Sequence, residues 1–258
     1  MTSMLPPENS RLEREKDFHD KVFSDSSERD KVVGRFYKTT QSVSHKYHSL
    51  IIECANKAKV IEYGCGMGSS AFLLSQNGAK LVIGIDISPV AIDIAKNELN
   101  NVELPGDVEF QVMNAEDLQF EPSSVDLICG TGILHHLDIK VAMGSIAKVL
   151  KADGSAIFME PLGHSPFINL FRRLTPQART EDEHPLLEND LEMIKSYFSH
   201  TELNYYYLTS LAASLLVGLP GFKIVQKTLE GFDRQLFKIP FLRKQAWIVI
   251  IKVSNPIK

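Results

Sequence analysis

The stretch Lys59-Val60-Ile61-Glu62-Tyr63-Gly64-Cys65-Gly66-Met67-Gly68 constrains this chain more than any other. It opens with a short apolar run rich in β-branched residues, the pattern of a buried strand. Glycines follow at alternate positions, and Ser69-Ser70-Ala71-Phe72-Leu73-Leu74 then takes up a helical pattern. A strand, a glycine-rich turn and a helix make the front half of a βαβ unit that binds a nucleotide-like ligand. The glycines let backbone approach a ligand closely, and the helix N-terminus offers unpaired N–H groups to a polar or anionic group.

The alternation continues. Lys59–Tyr63 reads as strand one and Ser69–Asn77 as a helix closed by Gly78. Leu81–Asp86 reads as strand two, followed by a helix capped by Ser88 with Pro89 at its first position. Val108–Met113 and Val125–Gly130 read as strands three and four, Lys140–Leu150 as a helix and Ser155–Glu160 as strand five. Strands alternating with helices over short connections predict a parallel sheet with right-handed crossovers, with ligands beyond the carboxyl ends of the strands. After strand five the rhythm breaks. Pro161–Leu187 reads as irregular, Glu188–Phe198 as a helix, Glu202–Leu208 as strand six and Gln245–Val253 as the last strand. Insertions after strands five and six are expected on the ligand side.

The chain has 258 residues, 44% hydrophobic and 23% charged, which suits one large domain or two small ones. A net charge of −4 supplies no basic field for nucleic acid, and none is expected as a partner. Cys54, Cys65 and Cys129 lack metal-ligand spacing, no metal site is expected, and so low and odd a count fits a reducing cytoplasm. The polar N-terminus lacks the apolar core of a signal peptide, and the longest apolar run, Leu208–Phe222, is too short to span a bilayer. Residues 1–26 read as a flexible tail, with a solvated helix in its later part. Residues 27–258 read as one domain: a helical cap over 27–57, a ligand-binding core over 58–160, and substrate-side insertions and last strands over 161–258.

A dinucleotide fingerprint needs G-x-G-x-x-G, but here the spacing is G-x-G-x-G, with Glu62 two residues before the first glycine. A carboxylate there repels a pyrophosphate and suits a ligand carrying an ammonium group. S-adenosylmethionine has such a group, no phosphate, and a carboxylate for the turn's N–H groups.

At this point the chain resembles a class I S-adenosylmethionine-dependent methyltransferase. Glu62-x-Gly64-x-Gly66-x-Gly68 is similar to the family's first motif, and Gly84-Ile85-Asp86-Ile87-Ser88 to its second, whose acidic residue holds the ribose hydroxyls. Met113-Asn114-Ala115-Glu116-Asp117-Leu118 is similar to the adenine-contacting third, with Asn114 where the family usually has Asp. Cys129 to Leu137, with Gly130 and Thr131, and Leu150 to Gly154 resemble the subgroup that methylates quinones and sterols. Glu160–Pro176 with Thr180–Pro185 resembles a signature of an uncharacterised branch. The resemblance implies a Rossmann-like α/β fold with a seven-stranded, mostly parallel sheet and an antiparallel last strand. It implies methyl transfer from S-adenosyl-L-methionine, releasing S-adenosyl-L-homocysteine, to O, N or C of a small, largely apolar acceptor. Glu62, Tyr63, Gly64, Cys65, Gly66 and Gly68 would hold the methionine part and Asp86 with Ile87 the ribose. Asn114, Ala115 and Glu116 would hold the adenine, and Gly130 and Thr131 would approach by backbone.

His135, His136, Glu160 and His164 are the catalytic candidates. Each histidine has two readings: a general base or acceptor contact, or a structural role capping a helix or bonding a carbonyl. Arg172 and Arg173 are expected to pair with Glu181, Asp182 or Glu183. Tyr205, Tyr206 and Tyr207 either line an acceptor cavity or pack the sheet, and Leu211, Leu215, Leu216 and Leu219 could touch a membrane peripherally. Two rival functions stay open: a cofactor-binding partner without catalysis, and a nucleotide-dependent oxidoreductase.

Overall fold

The computed structural model describes residues 8–24, 39–175 and 183–257. A seven-stranded sheet runs through it in the order β3-β2-β1-β4-β5-β7-β6. The strands are β1 (Lys59–Tyr63), β2 (Leu81–Asp86), β3 (Asp107–Val112), β4 (Val125–Thr131), β5 (Leu150–Pro161), β6 (Phe198–Tyr206) and β7 (Ile248–Pro256). All neighbouring pairs up to β5 are parallel, whereas β7 is antiparallel to both β5 and β6, so β6 runs with the others. Because β2 and β4 flank β1 on opposite sides, the chain reverses its direction of winding at β1. The crevice at its carboxyl end is where open α/β sheets bind ligands.

Period-two alternation sends the strands' side chains to two cores. On one face, Ile61, Tyr63, Ile83, Ile85 and Ile128 meet α5 (Ile139–Val149) and α7 (Glu188–Ser196) through Ala142, Met143, Ile146, Leu191 and Ile194. On the other, Val60, Val82, Leu127, Cys129 and Ile157 meet α2 (Gln41–Ala55), α3 (Ser69–Gln76) and α4 (Pro89–Leu99) through Val43, Tyr47, Ile51, Ala71, Leu74 and Ile92. The Ser88 hydroxyl accepts from Ala91 N–H at 3.1 Å and caps α4 as the sequence predicts.

Three expectations change. The later part of residues 1–26 is helical as expected, but the helix is docked on the domain rather than solvated and begins already at Glu8. Glu8–Ser24 forms helix α1, whose Glu15 is buried and whose Asp20 carboxylate bonds Ser88 Oγ at 2.5 Å. Its charged sequence conceals this because its partners are polar groups far along the chain. Residues 161–187 are not wholly irregular: Pro166 occupies the first position of α6 (Pro166–Leu174), where its missing N–H is harmless. Strand six starts earlier than expected, at Phe198, because β7 extends it by pairing Phe198 with Pro256. Of the helical cap expected over 27–57, the structure describes α2, while residues 27–38 lie outside the described residues. The insertion after β6 holds a 3-10 helix (Ser210–Leu216), α8 (Phe222–Leu236) and α9 (Pro240–Arg243). Asp233 of α8 is buried and accepts from the backbones of Leu208, Thr209 and Ser210 and from the hydroxyls of Thr209 and Ser210, which fastens this insertion to the end of β6. No helix of the described residues is long and apolar enough to cross a membrane.

Candidate active site

A cavity of about 450 Å³ opens at the carboxyl ends of β1, β2, β4 and β5. Ligand pockets span about 300–1,000 Å³. Gly64, Gly66, Asp86, Ile87, Asn114, Ala115 and Thr131 line it, as do His135, His136 and Glu160. The tertiary structure therefore brings together candidates from five strand ends, Asn114 and Ala115 coming from that of β3.

Asp86 closes β2. One carboxylate oxygen accepts from Gly66 N–H at 2.8 Å and the other from Ser88 N–H at 2.9 Å. A carboxylate accepts at about four lone-pair positions, so both oxygens keep capacity toward the cavity. Asn114 lines the cavity, and its Oδ1 accepts from Glu116 N–H at 2.9 Å in a local turn.

Other expected ligand residues act from behind the wall. Glu62 does not line the cavity: its oxygens accept from Ser70 N–H at 3.2 Å and Ala71 N–H at 2.8 Å, capping α3. Carboxylates are favoured at a helix N-terminus, which offers unpaired N–H groups, and this local site captures the side chain. Burial pushes its carboxyl from an ordinary 4.5 up to about 7, against the pull of those N–H bonds. Tyr63 is fully buried and its hydroxyl donates to Ala115 carbonyl, so it supports the loop after β3 without reaching the cavity. Cys65 is buried against Phe110, and burial raises its thiol pKa. Gly68 owes its glycine to packing, since at φ 81° a Cβ would lie 2.4 Å from Phe110. A Cβ on Gly130 would meet Tyr63 carbonyl at 2.5 Å, so this glycine also permits close packing. Glu116 is buried and accepts from Arg11 at 2.7 Å through both oxygens and from Asp138 N–H at 2.6 Å, which occupies it structurally.

At the far end of the cavity Glu160, 1% exposed, closes on three donors. One oxygen accepts from the N–H groups of Ile133 and Leu134, each at 2.9 Å, and the other faces His135 Nδ1 at 2.8 Å. When Nδ1 donates to this carboxylate, a neutral imidazole keeps its lone pair on Nε2. That nitrogen lies 3.9 Å from Glu183. His136 stacks against His135 with ring centres 4.2 Å apart, and burial lowers its pKa. His164 is not part of the site: its Nε2 accepts from Glu188 N–H at 3.0 Å and secures the start of α7. Arg172 lines the cavity but donates to Leu162 carbonyl and Asn169 Oδ1, both at 3.0 Å. Of the partners expected for Arg172 and Arg173, Glu181 and Asp182 lie outside the described residues, while Glu183 lines the same cavity as Arg172.

The sequence reading missed the ceiling. Leu12, Glu15, Phe18, His19 and Phe23 of α1 line the cavity, and a Cβ on Gly66 would come within 3.1 Å of Phe23. The three- and four-residue steps of Leu12, Glu15, His19 and Phe23 were a legible signal of one helical face. Both insertions reach this cavity, the one after β5 through Arg172 and Glu183 and the one after β6 through Trp247, just before β7. Tyr205, Tyr206 and Tyr207 line a separate cavity of about 310 Å³ beside α8, where Tyr207 bonds Ser42 at 2.7 Å.

Residues 61–158 match the family described as a methyltransferase domain. Over 104 residues the chain is 33% identical to the ubiquinone biosynthesis O-methyltransferase of Neisseria meningitidis, covering 39% of this chain and 42% of that protein. Over 157 residues it is 28% identical to the uncharacterized methyltransferase YcgJ of Bacillus subtilis, covering 59% of this chain and 60% of the other. The chain thus spans between 42% and 60% of the length of these two relatives. In three dimensions it is similar to geranyl diphosphate C-methyltransferase from Streptomyces coelicolor, solved with Mg2+, geranyl diphosphate and S-adenosyl-L-homocysteine. That likeness has a TM-score of 0.62 at 13% identity, covers 90% of this chain and 86% of the other, and is one of fold. The family match, the sheet order and the strand-end motifs agree that residues 61–158 form a methyltransferase domain of the class I, S-adenosylmethionine-dependent type.

Proposed function

We propose that the protein methylates an O, N or C atom of a small, largely apolar acceptor, with S-adenosylmethionine as donor and S-adenosylhomocysteine as product. The observation that carries this reading is a single cavity. It runs from the glycine turn and Asp86 at one end to the His135–Glu160 pair at the other, under the apolar face of α1. The cofactor's fit rests on the volume of that cavity and the spare acceptor capacity of Asp86. When bound, the cofactor supplies an electrophilic methyl group on a sulfonium.

In this reading Asp86 accepts from the ribose hydroxyls, while Met113, Asn114 and Ala115 form the adenine wall. Gly64, Gly66 and Thr131 offer backbone to the methionine part. Glu62, Tyr63, Cys65, Gly68, Gly130 and Glu116 shape that wall without touching the ligand. His135 is the proton acceptor for a hydroxyl or amine: Glu160 holds its Nδ1–H and directs Nε2 to the cavity. Glu160 is a positioning residue, because its oxygens are taken up by Ile133, Leu134 and His135. Leu12, Phe18, Ile133, Leu137, Met159 and Trp247 line the same cavity and exclude water from an apolar acceptor. Alignment of acceptor and donor in a closed site is the main source of rate in such a displacement.

The test joins two measurements. Calorimetric titration with S-adenosylmethionine and NAD should give binding of the former alone; tight NAD binding without the other would sink the reading in favour of an oxidoreductase. A labelled-methyl screen over phenols, amines, quinones and prenylated compounds should then give turnover. Cofactor binding without any acceptor methylated across that range would favour a catalytically silent binding protein.

A further inference from the structure

The cavity holds a cluster that methyl transfer, as proposed above, does not use. Glu15 and His19 lie four residues apart on α1 and so share one face, and His136 ends the 3-10 turn after β4. Glu15 Oε2 lies 3.0 Å from His136 Nδ1 and 3.6 Å from His19 Nε2. One ligand atom from each of the three falls within 4.8 Å of the others. Donors held about 2.0–2.2 Å from a tetrahedral cation are separated by roughly 3.3–3.6 Å, and of the two separations from Glu15 one lies below that range and the other at its upper end.

The environment adds a second observation. His136 Nδ1 is buried and makes no hydrogen bond among the described residues; it faces the carboxylate out of line for one. A buried imidazole nitrogen left so is costly, and a cation between the donors relieves it. Two imidazoles and one carboxylate suit Zn2+ and its neighbours, whereas Mg2+ and Ca2+ prefer all-oxygen sets.

We propose that Glu15, His19 and His136 bind one divalent transition-metal ion of the Zn2+ type, with a fourth coordination position left to water or an acceptor oxygen in the cavity. The ion ties α1 to the turn after β4 and so holds the cavity's ceiling down. A second trio, His135, His136 and Glu183, shares one member with the first. Its 3.9 Å separation between His135 Nε2 and Glu183 is wider, and His135 is already engaged by Glu160. Sequence spacing gave no sign of the site, because its ligands come from two segments remote in the chain.

The experiment is a Co2+ titration of the full chain after removal of bound metal by a chelator, read by the visible absorption that a tetrahedral nitrogen–oxygen site gives. The expected result is a signal that saturates at one equivalent and is displaced by Zn2+. His19→Ala and Glu15→Gln should each weaken Co2+ by more than about 10-fold, the scale already reached by outer-sphere changes. His135→Ala should leave the affinity within a few-fold. Both α1 variants change an edge helix, and an unaltered far-ultraviolet circular dichroism spectrum accompanies the measurement. Absence of a saturable signal overturns the proposal. So does unchanged affinity in both α1 variants, or a loss confined to His135→Ala, which would move the ion to the other trio. No outcome depends on methyl transfer.

Discussion

The two ends of the cavity are built on different plans. At the glycine-turn end, Glu62 and Asp86 bond backbone N–H groups of Ser70, Ala71, Gly66 and Ser88, all within one βαβ unit. At the other end, Glu160 of β5 bonds the turn after β4, Glu116 bonds Arg11 of α1, and Glu15 of α1 reaches His136. The first end is a local construction that a short segment specifies. The second exists only when three remote segments dock. Its buried carboxylates hold the enclosure together as well as shaping it.

The largest test of this contrast is Glu160→Ala. It strips the acceptor from two buried N–H groups and from His135. A loss of about 3–5 kcal/mol is expected, the range for breaking a buried charged network. Urea denaturation measures it; a loss under 1 kcal/mol would mean the acceptor end does not depend on this carboxylate. Next is Asp86→Ala, which should weaken S-adenosylmethionine by about 100-fold or more, since charged hydrogen bonds contribute about 1.5–3 kcal/mol each. Near-normal affinity by calorimetry would place the ribose elsewhere.

Glu62 supplies a pH test at the local end. Its folded pKa of about 7 exceeds its ordinary 4.5, so between those values the folded chain holds more protons than the unfolded one. Stability from this group is then present at low pH and is lost as pH rises through that window, by roughly 2–3 kcal/mol. Glu62→Gln should flatten the wild-type decline between pH 5 and pH 8 in thermal melts; an unchanged slope would show that another group carries it. The smallest effect is expected for Arg11→Ala. Loss of its partly exposed pair with Glu116 should raise the cofactor's dissociation rate about five-fold in stopped flow, equivalent to about 1 kcal/mol. A dissociation rate equal to wild type would mean that α1 does not hold the ceiling through this pair.

The contrast also explains what could be read beforehand. The limits of β2, the Ser88 cap, the glycine turn and Asp86 at the cavity were legible, because period-two burial, capping and turn chemistry are written in adjacent residues. Glu62 was misread for a related reason. Its proximity to the glycines suggested a ligand ammonium, but the nearer helix N-terminus competes for the same carboxylate. His164 looked like a pocket residue beside Glu160, yet α7 takes its lone pair. Nothing adjacent to Glu15 or His19 announces that α1 covers a cavity.

The sequence by itself determined the succession of strands and helices from β1 to β5, and the carboxylate and glycines at the strand ends. Each of these follows from hydrophobic period and local hydrogen bonding within a few dozen residues. Tertiary structure alone decided which buried carboxylate faces the ligand and which caps a helix. It also decided that α1 forms the ceiling, and that His135 meets Glu160 while His136 meets Glu15. A buried polar group must find a partner wherever packing puts one, and partners brought together by chain closure leave no mark in the spacing of neighbouring residues.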